Sequence, residues 1–133
     1  MRMKYFEARR EIFSMTQEAV AAGLIYLSAG NISVRIDDNL IAITPSGIKY
    51  KNLQPEQIAI VDLDGKLVDG SHRPSSEVPM HTHVFQQMPA VNAIFHTHSS
   101  YAITFAMLGK TIPVANLELF TVGAPLPVAP WAC

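Results

Sequence analysis

The chain has 133 residues, 49% of them hydrophobic, and a formal net charge of -1. That size suits one compact domain, residues 1–133, with a real core, and the scattered lysines and arginines argue against an electrostatic nucleic-acid surface. No apolar run is long enough to span a bilayer, "MRMKYFEARREIF" lacks a signal-peptide core, and the single cysteine, Cys133, is the last residue. These features predict a cytoplasmic protein with no internal disulfide and no nucleic-acid or membrane partner.

Residues 5–25 read as an amphipathic helix, with Phe6, Ile12, Phe13, Thr16 and Val20 on one face and Gly23 as the C-terminal cap. After the turn "SAGN", residues 32–44 read as a hairpin turning at Asp37-Asp38-Asn39. "PSG" ends its second strand, and "NLQPEQ" reads as a short helical turn. "IAIVDL" and "KLVDG" pair across Asp64-Gly65. A helix over 75–88 follows, with a serine able to cap its first turn and Pro79 tolerated there. "AVNAIFHTH", residues 90–98, reads as a buried strand, "SSYAITFAMLG" as a helix closed by Gly109, and "TIPVANLELF", residues 111–120, as a further strand. The last segment carries three prolines and no closing element. Strands in runs with helices between them predict an α/β fold with a largely antiparallel sheet.

All five histidines fall between His72 and His98, and His-Thr-His occurs twice, at 81–83 and 96–98. Residues two apart on a strand point to the same side, so His96 and His98 can converge on one ion. Residues two apart on a helix point in roughly opposite directions, so His81 and His83 cannot chelate together. His81 therefore reads as a structural helix histidine, and His72 and His83 as solvated ones. Two imidazoles are short of the three or four ligands zinc takes, and Glu77 is the nearest candidate carboxylate. Its place at a helix start also suits an anion, with Ser75 and Ser76 adding hydroxyls. The turns "AGN" and "TPSG" can each present N–H groups to a phosphate. Alone, each is equally an ordinary cap or turn.

Taken together, "SAGNIS", "ITPSGI", "RPSSE" and "IFHTHS", in that order, resemble the class II aldolase/adducin family, most closely its fuculose-phosphate aldolase group. The resemblance implies a three-layer fold with helices flanking the sheet. It implies one zinc ion per chain, held by His96 and His98, with Glu77 contacting the metal and serving as catalytic acid/base. It implies that Gly30, Asn31, Ser46, Gly47, Ser75 and Ser76 hold the substrate phosphate. The activity implied is aldehyde-lyase cleavage of a phosphorylated ketose, of the fuculose 1-phosphate type, to dihydroxyacetone phosphate and an aldehyde, by a homo-oligomer that is a tetramer in the family. Related readings are a sugar-phosphate 4-epimerase or dehydratase and a non-catalytic, adducin-like interaction module. The epimerases usually carry aspartate where this chain has Glu77, which favours the aldolase.

The chain also departs from the family pattern. No histidine follows His98 to supply the family's third zinc ligand, and Leu117 stands about where the fuculose-phosphate enzymes have a tyrosine. The expectation is a domain truncated at its C-terminus, a poor aldolase by itself, with apolar surface left uncovered and a tendency to self-associate.

Overall fold

The computed structural model describes residues 5–130. They divide into two compact units, the first ending at Thr97 and the second beginning at His98. The sequence reading of Cys133 lies outside the described residues.

The first unit holds helix α1 (Phe6–Ala21), strands β1 (Asn31–Arg35), β2 (Leu40–Ile43), β3 (Ala59–Asp62) and β4 (Leu67–Asp69), helix α2 (Val78–Gln87) and strand β5 (Ala93–His96). The strands form one sheet in the order β4-β3-β2-β1-β5. Every neighbouring pair is antiparallel. Alternation along the strands makes two cores. Ala42, Ile58 and Ile60 pack with Ile12 and Ala19 of α1, while Ile41, Ile43, Ala59 and Val61 pack with Val78 and Phe85 of α2. The result is the expected helix–sheet–helix sandwich.

Local chemistry explains the connections. Gly23, at φ +69°, closes α1 as expected, its N–H donating to the carbonyl of Val20 at 3.0 Å. Asp37 Oδ1 accepts from the backbone N–H groups of Asn39 and Leu40. Asp62 Oδ1 does the same for Asp64 and Lys66. These carboxylates fold the two hairpin turns. "NLQPEQ" contains a 3-10 turn at Pro55–Gln57. The buried stripe of α1 is Arg9, Ile12, Thr16 and Ala19, so an arginine lies on the face predicted from apolar residues. Its Nη2 meets Asp69 Oδ2 at 2.7 Å, tying α1 to β4.

Three elements differ from expectation. β5 covers only Ala93–His96 and is half exposed rather than buried. It is one of the sheet's two edge strands, with β1 its neighbour, and Phe95 is 46% exposed. Helix α2 begins at Val78 with no side-chain cap on its first residues, and the Ser75 hydroxyl instead accepts from the Glu77 N–H at 3.2 Å. In the second unit, helix α3 (Ser100–Met107) matches the prediction, but the strand expected at 111–120 is absent. Ile112 forms an isolated bridge with Leu126, and Leu117–Thr121 forms a short helix, α4. Asn116 starts that helix by accepting the Leu119 N–H at 2.9 Å. Capping by Asn116 and the helix-favouring "LEL" outweigh the β-branched residues before them.

Apolar surface is left open in both units. Leu24, Tyr26, Leu27 and Met88 are exposed in the first, and Tyr101, Met107 and Phe120 in the second.

Gly30 is the most tightly enclosed of the described glycines. It sits at φ +80°, and a Cβ there would lie 2.6 Å from both the His96 carbonyl oxygen and Ile25 Cγ2. Gly30→Ala is expected to cost about 2–4 kcal/mol, from left-handed strain plus the clash. Urea denaturation measures it, and an unchanged midpoint would show that the β1–β5 start is looser than described.

Candidate functional site

The turns singled out in the sequence meet at one end of the sheet. Thr44 lies just past β2. Its N–H donates to the Ile32 carbonyl at 3.0 Å, and its Oγ1 accepts from the Ile32 N–H at 3.2 Å. Its carbonyl accepts from the Ser75 N–H at 3.1 Å, and the Ser46 N–H donates to the Arg73 carbonyl at 2.9 Å. Pro45 and Pro74 face each other in an isolated bridge. "TPSG" and "RPSSE" are thereby joined backbone to backbone beside the first residues of β1. On the other side of β1, Asn31 stands opposite His96 in the strand register. Gly30, Asn31, Ser46, Gly47, Ser75, Ser76, Glu77 and His96 thus belong to connected segments of the first unit.

Their exposures differ. Asn31 and Ser75 are buried, Glu77 and His96 are half-buried, and Ser46, Gly47 and Ser76 are exposed. Gly47 takes φ +76°, and a Cβ there would meet open space, which suits close approach of a ligand to the backbone. Ser75, Ser76 and Arg73 also line a cavity of about 550 Å³ that runs past Thr82, His83 and Gln86 of α2. Nothing in the sequence pointed to this cavity, because its walls come from three separate segments.

The proposed metal ligands are not gathered in the same way. β5 ends at His96, so His98 lies beyond the strand whose alternation was to align the pair. It is the first residue of the second unit. Among the described residues, no group of three histidine, cysteine, aspartate or glutamate side chains is placed to hold a metal ion. Glu77 and His96 belong to the first unit and His98 to the second, so neither unit by itself holds the three-ligand set. Of the other histidines, His83 is exposed as expected, and His72 pairs with the Ser71 hydroxyl at 3.0 Å.

His81 is structural, as expected, but its partners are side chains rather than backbone. It is fully buried. Its Nδ1 lies 2.5 Å from Ser33 Oγ, and its Nε2 bonds Asn31 Oδ1. Asn31 Nδ2 in turn lies 3.4 Å from His96 Nδ1. The Asn31 side chain, expected to serve a phosphate, is thus largely engaged with two imidazoles. Burial, and secondarily the nearby His96, pulls the His81 pKa down to about 4. A residue that sequence reading missed is Tyr50. Its buried hydroxyl donates to the Gly30 carbonyl, and burial raises its pKa.

Residues 10–133 match the family described as Class II Aldolase and Adducin N-terminal domain, and the chain belongs to that family. It is 36% identical over 124 residues to 5-deoxy-D-ribulose 1-phosphate aldolase of Bacillus thuringiensis serovar kurstaki, a match covering 92% of this chain and 58% of that protein. It is 33% identical over 106 residues to L-ribulose-5-phosphate 4-epimerase UlaF of Salmonella paratyphi C, covering 79% of this chain and 46% of the relative. Among solved structures, an L-fuculose 1-phosphate aldolase superposes with a TM-score of 0.78 at 32% identity, over 87% of this chain and 54% of that one. The l-fuculose-1-phosphate aldolase of Thermus thermophilus gives 0.71 at 28% identity, over 91% and 60%. The chain spans about half the length of these relatives. No helix among the described residues is long and apolar enough to cross a membrane.

The buried His81 predicts a pH dependence of stability. Its folded pKa, about 4, lies below the ordinary value of 6.5, so the unfolded chain binds the proton more readily. The stabilisation is complete above about pH 6.5 and is lost as pH falls toward 4. After allowance for solvent screening it amounts to on the order of 2 kcal/mol. In chemical denaturation across that window, His81→Gln should flatten the slope; an identical slope in both proteins would count against a neutral, buried His81.

Proposed function

We propose that the chain carries the substrate-holding part of a class II aldolase site and acts on a phosphorylated ketose, of the fuculose 1-phosphate or 5-deoxyribulose 1-phosphate type. The observation that supports this best is the backbone joint of residues 44–46 with residues 73–75, which sets the "SG" turn and the paired serines side by side next to Asn31. Small residues, hydroxyls and a helix start in one place suit a phosphate dianion. Anchoring the phosphate would orient the ketose, and orientation supplies much of the rate in such a reaction.

Breaking the carbon–carbon bond releases an aldehyde as the hydroxyl beside the bond loses its proton, and the dihydroxyacetone phosphate carbon gains one. Glu77, half-buried at the start of α2, is the carboxylate we assign to these transfers. The family's zinc would fall to Glu77, His96 and His98. Within the first unit alone the set is short of His98, which opens the second unit. A 4-epimerase is the second reading, favoured by the 33% identity to UlaF. Glu77, where the epimerases usually carry aspartate, weighs toward the aldolase. The open apolar residues of each unit support self-association, as in a homo-oligomer.

Calorimetric titration with dihydroxyacetone phosphate is expected to show binding that dihydroxyacetone does not, weakened about tenfold by Ser75→Ala through loss of a charge-assisted hydrogen bond. Equal affinity for both ligands would remove the phosphate cradle from the proposal. Incubation with L-fuculose 1-phosphate and with L-ribulose 5-phosphate, followed by separation of products, decides between the reactions. Dihydroxyacetone phosphate that disappears in Glu77→Gln supports the aldolase; an epimeric pentose phosphate without cleavage replaces it with the second reading.

A further inference from the structure

The cavity along α2 holds a cation that the fold does not employ. Of the described arginines, Arg9 pairs with Asp69, Arg10 lies over the Phe6 ring at 5.5 Å, and Arg35 donates to the carbonyls of Val91 and Phe85. Arg73 is exposed and lines the cavity. Among the described residues, its guanidinium meets no carboxylate, carbonyl or ring. Its structural part is played by the backbone, whose carbonyl accepts the Ser46 N–H at 2.9 Å.

The other walls sort by chemistry. Beside Arg73 in the chain, Ser75 Oγ accepts the Glu77 N–H at 3.2 Å, which leaves its O–H to donate, and the exposed Ser76 adds a second hydroxyl. Pro79, Thr82, His83 and Gln86 recur at three- and four-residue spacing, so one stripe of α2 faces the cavity. The Thr82 hydroxyl is committed within the helix, to the carbonyls of Val78 and Pro79. Gln86 Nε2 donates to the Leu63 carbonyl at 2.8 Å, which leaves the amide oxygen to accept. Asp64, exposed in the β3–β4 turn, adds a carboxylate, which accepts hydroxyl protons and repels a second anionic group. A cation and hydroxyl donors thus gather before the start of α2, and an acceptor stands near its end.

We propose that this cavity is a second binding site, for a polyol that carries one phosphate, with Arg73 as the residue that reads the phosphate. A guanidinium presents paired N–H groups to phosphate oxygens, and the serine hydroxyls add donors beside it. Hydroxyls along the rest of the ligand donate to Gln86 Oε1 and to Asp64. The volume, about 550 Å³, falls within the range of small-molecule sites, roughly 300–1,000 Å³. Inorganic phosphate would use one end of the cavity, and a neutral polyol would leave Arg73 unanswered. The walls do not include Gly30, Asn31, Ser46, Gly47 or Glu77. The site is therefore separate from the proposed cradle, sharing with it only the paired serines, and it stands whether or not the chain cleaves a ketose.

The test is an amide-shift NMR titration of the full chain with D-sorbitol 6-phosphate, which has no carbonyl and so cannot be cleaved as a ketose. Saturable shifts are expected at Gly65, Ser76, His83 and Gln86. Arg73→Met keeps the stem and the backbone carbonyl, so the fold is retained; it should weaken this binding about tenfold or more, and Arg73→Lys should recover part of the loss. Ser46→Ala should leave binding at the cavity unchanged. Sorbitol should not bind, and inorganic phosphate should bind several-fold more weakly than sorbitol 6-phosphate. Shifts confined to Ser46 and Gly47 would place the ligand in the cradle, overturning this proposal while sparing the phosphate reading of that turn. No shifts at all, shifts indifferent to Arg73→Met, or equal affinity for inorganic phosphate would overturn it as well.

Discussion

The site end of the molecule depends on Thr44. This residue is fully buried, and all three of its polar groups are committed to other segments: N–H and Oγ1 to Ile32, carbonyl to Ser75. A strand that simply ended at Ile43 would leave the following turn free to move over the surface. Here the strand's last hydrogen bonds are handed to the loop before α2, so two turns distant in sequence become one rigid edge. A valine of similar shape would keep the packing but lose the hydroxyl, leaving the Ile32 N–H unsatisfied in a dry place. The positions of Ser46, Ser75 and Glu77 all follow from that one junction.

The second constraint is polar and lies within the core. Burying Ser33, His81 and Asn31 between β1 and α2 costs desolvation that apolar side chains would avoid. Full pairing offsets most of that cost and gives directionality in return, since hydrogen bonds fix angles that dispersion contacts leave soft. Helix α2 therefore does two things. Val78 and Phe85 bind it to the sheet, and His81 fixes its rotation relative to β1. Because Glu77 sits at the start of the same helix, the buried histidine also bears on where that carboxylate lies.

Much of this fold was legible in the chain, for identifiable reasons. The apolar runs at 40–43 and 58–61 marked strands, and Asp37-Asp38-Asn39 and Asp64-Gly65 marked the hairpin turns, although the carboxylate that closes the second one is that of Asp62. The order of the turn motifs was enough to recognise the family. What was hidden depended on distant partners. His81 could be read as structural but not as the partner of Ser33 and Asn31, which lie 48 and 50 residues away. Arg9 carried no sign that Asp69, 60 residues on, would draw it into the core. The end of β5 was misjudged because Thr97 and His98 continue a strand-like pattern, while pairing with β1 runs out where β1 itself begins, at Asn31. The helix at Leu117–Thr121 turned on a single cap, which the β-branched residues before it obscured.

The placement of His96 is settled as much by the far end of its strand as by the site. An edge strand paired on one side is prone to slip, and a shift of one residue would turn His96 to the opposite face. Arg35, at the other end of β1, works against that slip. Its N–H donates to the Asn92 carbonyl at 2.8 Å, while its guanidinium donates to the carbonyls of Val91 and Phe85 and lies 4.8 Å from the centre of the Phe85 ring. These contacts fix the segment that enters β5 against both β1 and the end of α2. At the opposite end, Gly30 lets the His96 carbonyl approach more closely than any side chain would permit. The register is thus clamped at both ends, by a cation that reaches across and by a missing side chain. Between those clamps only four residue pairs, from Asn31 with His96 to Val34 with Ala93, are needed to hold the imidazole opposite the amide it faces.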